Sequence, residues 1–209
     1  MMFYVFPRAV RPDICDEIVN DCKQNVLENA KIWQDKQHTN RVRNSVVNFD
    51  KNSSRDDPSI RKTLVHFIHD EKNKANEVAW HFLKKANRIQ FRYDLDYFQP
   101  IQFAEYKDGG FFDWHQDSSG LDLSNEVRKL SLTLVLSDPD SFEGGEFQFY
   151  SGDRPVESMG KITAKQLKND IRSQGTVIVF DSRDWHRVTP VTKGVRHALV
   201  CWTVGPNFR

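Results

Sequence analysis

The stretch after residue 90 constrains the fold most. It runs through "QPIQFAEY", "KLSLTLVLS", "GEFQFY", "GTVIVFD" and "RHALVCWTV", short alternating or apolar segments separated by Gly, Pro, Asp and Ser clusters. Segments of this length, rich in β-branched and aromatic residues, are strands. No helical pattern interrupts them, so they are expected to pair as an antiparallel sandwich or barrel. Helical spacing is confined to the first 90 residues. From Asp13, a plausible N-cap, "DICDEIVNDCKQNVLENAKIW" places Ile14, Ile18, Cys22, Val26, Ala30 and Trp33 on one stripe. Asp57-Pro58 reads as the start of a second helix with Ile60, Leu64, Phe67 and Ile68 buried, and a third runs through Val78, Ala79, Phe82, Leu83 and Ala86. The expectation is a mainly β fold with a helical buttress: one domain over residues 1–209, helical support in 1–90 and a β core in 91–209.

Bulk charge selects no partner. The 209 residues hold 30 Lys and Arg against 29 Asp and Glu, a formal net charge of +1, which argues for neither nucleic acid nor membrane. No apolar run approaches the ~20 residues that span a bilayer. The three cysteines, Cys15, Cys22 and Cys201, are an odd set without a CxxC spacing. That fits a reducing compartment, and a cytoplasmic protein is expected. Cys15 and Cys22 read as small apolar packing in the first helix.

Chemistry concentrates in "DWHQD", residues 113–117. In an extended segment residues i and i+2 point the same way, so His115 and Asp117 can bind one ion together. A third ligand, His186 in "DSRDWHRVTP", would arrive from a strand across the barrel. Two imidazoles and one carboxylate occupy one face of an octahedral metal and leave three positions open. A structural zinc site would instead close its shell, usually with thiolates, and the cysteines lie far away in sequence. Ten residues after His186, Arg196 follows the Gly194 turn and opens an apolar strand. Alternation sends it to one face with Ala198 and Val200, and sends His197 with Leu199 and Cys201 to the other. An arginine directed into a barrel needs an anion, either a carboxylate ligand or an internal acid.

With these residues in view the chain resembles the Fe(II)- and 2-oxoglutarate-dependent dioxygenases, specifically their prolyl and lysyl hydroxylase-like (prolyl 4-hydroxylase-type) group. "FAEYKDGGFFDWHQD" resembles that group's Tyr-x-x-Gly-x-x-x-x-x-His-x-Asp segment, "LSLTLVLSDPDSFEGGEFQFY" its following strand pair, and "GTVIVFDSRDWHRVTPVTKGVRHALVCW" its closing metal and cosubstrate strands. The resemblance implies a distorted double-stranded β-helix, or jelly roll, with amino-terminal helices packed on one sheet. It implies Fe(II) on His115, Asp117 and His186, and 2-oxoglutarate held by Arg196 and hydrogen-bonded by Tyr106. Thr133, with Ser131, lies on the strand that lines the same pocket. O2 is the further cosubstrate, 2-oxoglutarate is decarboxylated to succinate, and the resemblance also admits L-ascorbic acid binding as a reductant. Asp117 stands where halogenating relatives carry a small residue, which favours hydroxylation.

For the primary substrate the resemblance implies a protein or peptide, most directly prolyl residues. Nucleic-acid demethylases of the superfamily place a second arginine six residues after the first; here that position is Trp202. Arg43, Trp114 and Trp202 are the candidates to meet substrate, because aromatics and a forked cation suit a peptide or an amino acid. His66, His69 and His81, read as helical, and His38, in a polar loop, are expected to be solvated rather than ligating. "GGE" at 144–146 reads as a turn entering a strand. Two alternatives stay open: a non-catalytic jelly-roll module that binds or senses a ligand, and an oxygenase acting on a free amino acid or another small molecule.

Overall fold

The computed structural model describes residues 3–24, 28–29, 60–118, 126–151, 154–155, 158–159, 162–163 and 170–208. With strands numbered in chain order, the larger antiparallel sheet contains β1 (Phe3–Phe6), β2 (Glu28–Asn29), β4 (Leu64–Ile68), β5 (Tyr97–Phe98), β6 (Ile101–Tyr106), β8 (Glu126–Val135), β14 (Val177–Asp181) and β17 (Arg196–Pro206). Its order is β1-β14-β8-β17-β6-β4-β2, with β5 on β17. The smaller sheet is β11-β10-β15-β7-β3, built from β3 (Arg61–Lys62), β7 (Phe111–His115), β10 (Phe147–Ser151), β11 (Arg154–Pro155) and β15 (His186–Val188). Two short ribbons complete the described strands: β9 (Phe142–Gly144) with β16 (Val191–Gly194), and β12 (Ser158–Met159) with β13 (Ile162–Thr163).

Strand alternation divides the larger sheet into two chemistries. Ile101 and Phe103 of β6, Leu130, Leu132 and Leu134 of β8, Val177 and Val179 of β14, and Leu199 and Cys201 of β17 face the helices α1 (Pro12–Lys23) and α2 (Lys74–Ala86). There they meet Cys15, Ile18 and Cys22 of α1 and Ala75, Ala79, Leu83 and Ala86 of α2. Packing of two elements against one sheet face accounts for this core. On the other face Ala104 and Tyr106, Ile178 and Phe180 turn toward the smaller sheet and pack with Phe147 and Val188. Interleaved with them on that inner face come buried polar groups: Ser131, Thr133 and Arg196. The apolar face anchors the helices, and the mixed face is free to carry chemistry. All three cysteines are free and buried. Among the described residues, no helix is long and apolar enough to cross a membrane.

Three sequence expectations are corrected. The first helix begins with Arg11 as its N-cap and Pro12 in its first turn, and ends at Lys23. Asp13 lies inside that turn, ion-paired with exposed Arg11, where a carboxylate favours the helix N-terminus. Glu28–Asn29 is a strand on β4, so the stripe does not continue as one helix to Trp33, which lies outside the described residues. The segment read as a second helix is strand β4 over Leu64–Ile68, paired with β6 from Leu64↔Glu105 to Ile68↔Ile101. A five-residue segment with four apolar positions satisfies either period; here Val65 turns to the inner core and Ile68 to the helices, and β6 supplies the backbone partners. His66 is therefore in a strand and His69 just past it, and the first 90 residues contribute to both sheets rather than only supporting them. The Asp57-Pro58 cap and His38 lie outside the described residues.

Candidate active site

The smaller sheet carries two of the three expected ligands side by side. His186 of β15 is the direct register partner of His115 of β7, while Val188 pairs with Phe112. Two steps along β15 thus oppose three along β7, a bulge that re-aims side chains. As a result Phe112 and His115 face the same way, stacked with ring centroids 3.5 Å apart and planes at 13°. Asp117 follows directly, and its loop is pinned by Asp117 N–H and Ser118 N–H, both donating to Ser182 O at 2.9 Å. His115, Asp117 and His186 offer ligand atoms that all lie within 4.8 Å of one another. His115 Nε2 is 3.8 Å from Asp117 Oδ1, and His186 Nε2 is 3.6 Å from Asp117 Oδ2.

The hydrogen bonds behind these atoms select their protonation. His115 Nδ1 is 2.7 Å from Asp113 O and His186 Nδ1 is 2.9 Å from Asp184 O. A carbonyl can only accept, so each Nδ1 carries a proton, the tautomer that leaves Nε2 as the ligand atom toward the centre. Burial first, then the neighbouring His186, pushes the His115 pKa down to about 3. For Asp117, burial alone acts upward, but His186, His115, Arg128 and the Ser131 hydroxyl together bring it down to about 2. The two Nε2 atoms and the Asp117 carboxylate converge on one point, where a cation can accept a lone pair from each. This donor set fits a divalent metal with open positions.

Asp117 is held from the larger sheet. Ser131 Oγ donates to Asp117 Oδ2 at 2.6 Å and lies 2.9 Å from Ser182 Oγ. Such outer partners orient ligands. Ser131→Ala is expected to weaken divalent-metal binding roughly 10- to 100-fold with the fold intact, the usual cost of losing an outer partner. Metal titration followed by tryptophan fluorescence reads this directly; equal affinities in the two proteins would leave Ser131 without that role.

Arg196 lies on the inner face of β17, in register with Tyr106 of β6, with its guanidinium carbon 5.3 Å from the tyrosine ring. It is 2% exposed, and burial lowers its pKa, opposed by Tyr106 and aided by the nearby Arg172 cation. Among the described residues no carboxylate reaches ion-pair distance of it. Arg172 is itself occupied by the carbonyls of Gly144, Pro139 and Phe142. Gly145 makes room: its φ is +61°, and a Cβ there would stand 2.8 Å from Arg196 Cδ. The Gly-Gly turn leading into β10 thus brings backbone against the guanidinium stem. Thr133, buried on the same inner face of β8, pairs with Val200 and Ile178. His197 turns the other way, stacked on Phe103 and 3.1 Å from Glu105 Oε2.

The expected substrate residues fare differently. Trp202 is buried on the inner face of β17, its indole covered by Arg128 at 4.0 Å and its Nε1 without a hydrogen-bond partner among the described residues. Trp114 is not brought to the site. Adjacent to His115 on β7, it projects to the opposite face, edge-on to Tyr150 at 5.6 Å and beneath Arg187 at 4.6 Å. Arg43 lies outside the described residues. Two arginines that pattern reading passed over do reach the site: Arg128, whose Nε donates to Gln99 Oε1 at 2.8 Å, and Arg61, over the Phe112 ring at 4.4 Å. Both feel the charge of Asp117. An alternating strand signal around Arg128 could have flagged it; Arg61 was hidden by the helical reading of its segment.

Residues 101–204 match the family model described as the 2OG-Fe(II) oxygenase superfamily. A PKHD-type hydroxylase of Teredinibacter turnerae is 35% identical over 106 residues, covering 49% of this chain and 42% of that protein, so the match spans less than half the length of that relative. Among solved structures, the viral collagen prolyl hydroxylase of Paramecium Bursaria Chlorella virus-1, as its 2OG complex, superposes with a TM-score of 0.63 at 18% identity, covering 98% of this chain and 97% of that one. A Trichoplax adhaerens prolyl hydroxylase in complex with a hypoxia inducible factor oxygen degradation domain peptide fragment gives 0.62 at 16% identity, covering 96% and 82%. At these identities the structures show the fold, a double-stranded β-helix.

Proposed function

Because the chain belongs, through residues 101–204, to the 2OG-Fe(II) oxygenase superfamily, we propose that it is a 2-oxoglutarate-dependent dioxygenase that hydroxylates an unactivated carbon, in a prolyl residue of a protein or peptide. The observation that carries this reading is the pairing of an open three-donor cluster with a buried arginine on the facing sheet that has no acid partner among the described residues. A non-catalytic binding module has no use for that combination.

On this reading His115, Asp117 and His186 hold Fe(II), and Arg196 takes the distal carboxylate of 2-oxoglutarate in a forked pair. Bound iron supplies the dioxygen chemistry that couples conversion of 2-oxoglutarate to succinate and carbon dioxide with oxygen insertion into a carbon–hydrogen bond. The chain's own residues do the rest. Tyr106 donates its hydroxyl proton toward the cosubstrate, and Thr133 lines the same pocket. Phe147, Phe149 and Phe180 surround His186 at ring distances of 5.6, 6.5 and 4.7 Å, and Phe112 covers His115. This aromatic wall excludes water from the donors and strengthens the electrostatics inside. Trp202 and Arg128 offer an aromatic and cationic rim to the substrate. Support for a prolyl peptide comes from the fold shared with prolyl hydroxylases, one of them in complex with a peptide.

The test is consumption of 2-oxoglutarate by the purified protein with Fe(II) and ascorbate, reading succinate, together with the gain of one oxygen atom in proline-containing peptides by mass spectrometry. Iron-dependent succinate is expected. Absence of succinate from a protein that binds both Fe(II) and 2-oxoglutarate would favour a ligand-binding role instead.

A further inference from the structure

Arg61 is in register with Phe112 across β3 and β7, and its guanidinium carbon stands 4.4 Å over the Phe112 ring. Phe112 in turn stacks on His115. Guanidinium, phenyl and imidazole therefore form one column leading from the donor cluster to a cation. The ring contact leaves the guanidinium N–H groups to be accounted for. Arg61 Nε and Nη2 are both buried and, among the described residues, have no hydrogen-bond partner. These two N–H groups lie on the same edge of the guanidinium and point the same way, and they are the pair that receives both oxygens of one carboxylate in a side-on fork. Buried donors left without acceptors cost free energy, and unpaired buried charge costs more, so the edge awaits a ligand.

The charges around the site indicate whose carboxylate it is. Arg196 is buried and Arg61 and Arg128 are half-buried, and the pKa of each is lowered first by desolvation. Among the described residues the carboxylate that acts on Arg61 and on Arg128 is the same Asp117, already committed to the donor cluster. Arg128 has Trp202 on its face and Gln99 on its Nε. Given the oxygenase reading above, on which this inference rests, the two carboxylates of 2-oxoglutarate go to Arg196 and to the metal. The Arg61 edge is then left for a third.

We infer that Arg61 docks a carboxylate of the primary substrate, so that the compound hydroxylated carries an anionic group close to the reacting carbon. That carboxylate belongs either to an acidic side chain beside the target residue of a peptide or to a free amino acid. Trp202 Nε1, a second buried donor without a partner among the described residues, adds a single bond suited to a substrate carbonyl.

Two probe pairs separate the sources: a proline-containing peptide with glutamate next to the proline against its glutamine counterpart, and L-proline against L-prolinamide. Binding to the Mn(II)-loaded protein in the presence of 2-oxoglutarate is measured by calorimetry, alongside succinate formation with Fe(II). In one pair the carboxylate member is expected to bind at least about tenfold more tightly, the scale of a charge-assisted fork. Arg61→Gln should erase that preference while the amide member binds as before. Arg61→Lys, which keeps the charge but not the fork, should retain only part of it, and this variant also guards against a folding defect in the first. No preference in either pair overturns the inference. So does an Arg61→Gln effect that falls on the demand for 2-oxoglutarate, since the edge would then serve the cosubstrate. If succinate never forms, the oxygenase reading fails, yet the binding preference and its loss in Arg61→Gln still report on Arg61.

Discussion

Arg196→Ala is expected to raise the apparent demand for 2-oxoglutarate by roughly 30- to 1000-fold, equivalent to ~2–4 kcal/mol for breaking a buried charge pair. The guanidinium is 2% exposed and lies beside Tyr106, so the pair it makes with a carboxylate is screened little by solvent. Arg172 stays in place after the substitution, held by three carbonyls, and keeps the pocket cationic; this argues against the upper end of the range. Arg196→Lys should recover part of the loss, because an ammonium supplies the charge but not the planar fork. Divalent-metal affinity in the absence of cosubstrate should be nearly unaffected. Succinate formation against 2-oxoglutarate concentration, with a parallel metal titration, separates the two effects. A cosubstrate requirement equal to that of the unsubstituted protein would remove Arg196 from the clamp.

His115→Ala has the larger consequence for the metal. It deletes one of three donors, and the loss should exceed the roughly 10- to 100-fold expected for an outer partner such as Ser131, taking turnover below detection. The remaining His186–Asp117 pair, 3.6 Å apart, provides two ligands and no longer defines a face. Thermal melting gives a second readout. A metal that binds only the folded state raises the melting temperature, so the rise on adding Mn(II) should disappear in His115→Ala. Ferrous or manganous affinity that survives unchanged would mean that the cluster is misassigned.

Much of the candidate site was legible because it obeys the period of a strand. His115 and Asp117 stand two apart, and Arg196 opens an alternating segment whose odd-numbered neighbours Leu199 and Cys201 do face the helices while Ala198 turns away from them. His186 was legible through its spacing to Arg196 and the resemblance that this spacing completes. The helix α2 and strands β6, β8, β10, β14 and β17 announced themselves by composition and length.

Other features required partners far along the chain. Leu64–Ile68 became a strand because β6 offered it a ladder, a fact that so short a segment does not contain. The β7 bulge brought Phe112 to the same side as His115, where it meets both His115 and Arg61, while Trp114, next to His115 in the strand, turned to the opposite face. Ser131 acquired its role from Asp117 and Ser182, and Arg61 from Phe112. The sequence by itself determined which side chains can share a face, since side-chain period follows from local backbone geometry. Only the tertiary structure decided which faces meet and in what register, because pairing between distant strands depends on the packing of the whole chain.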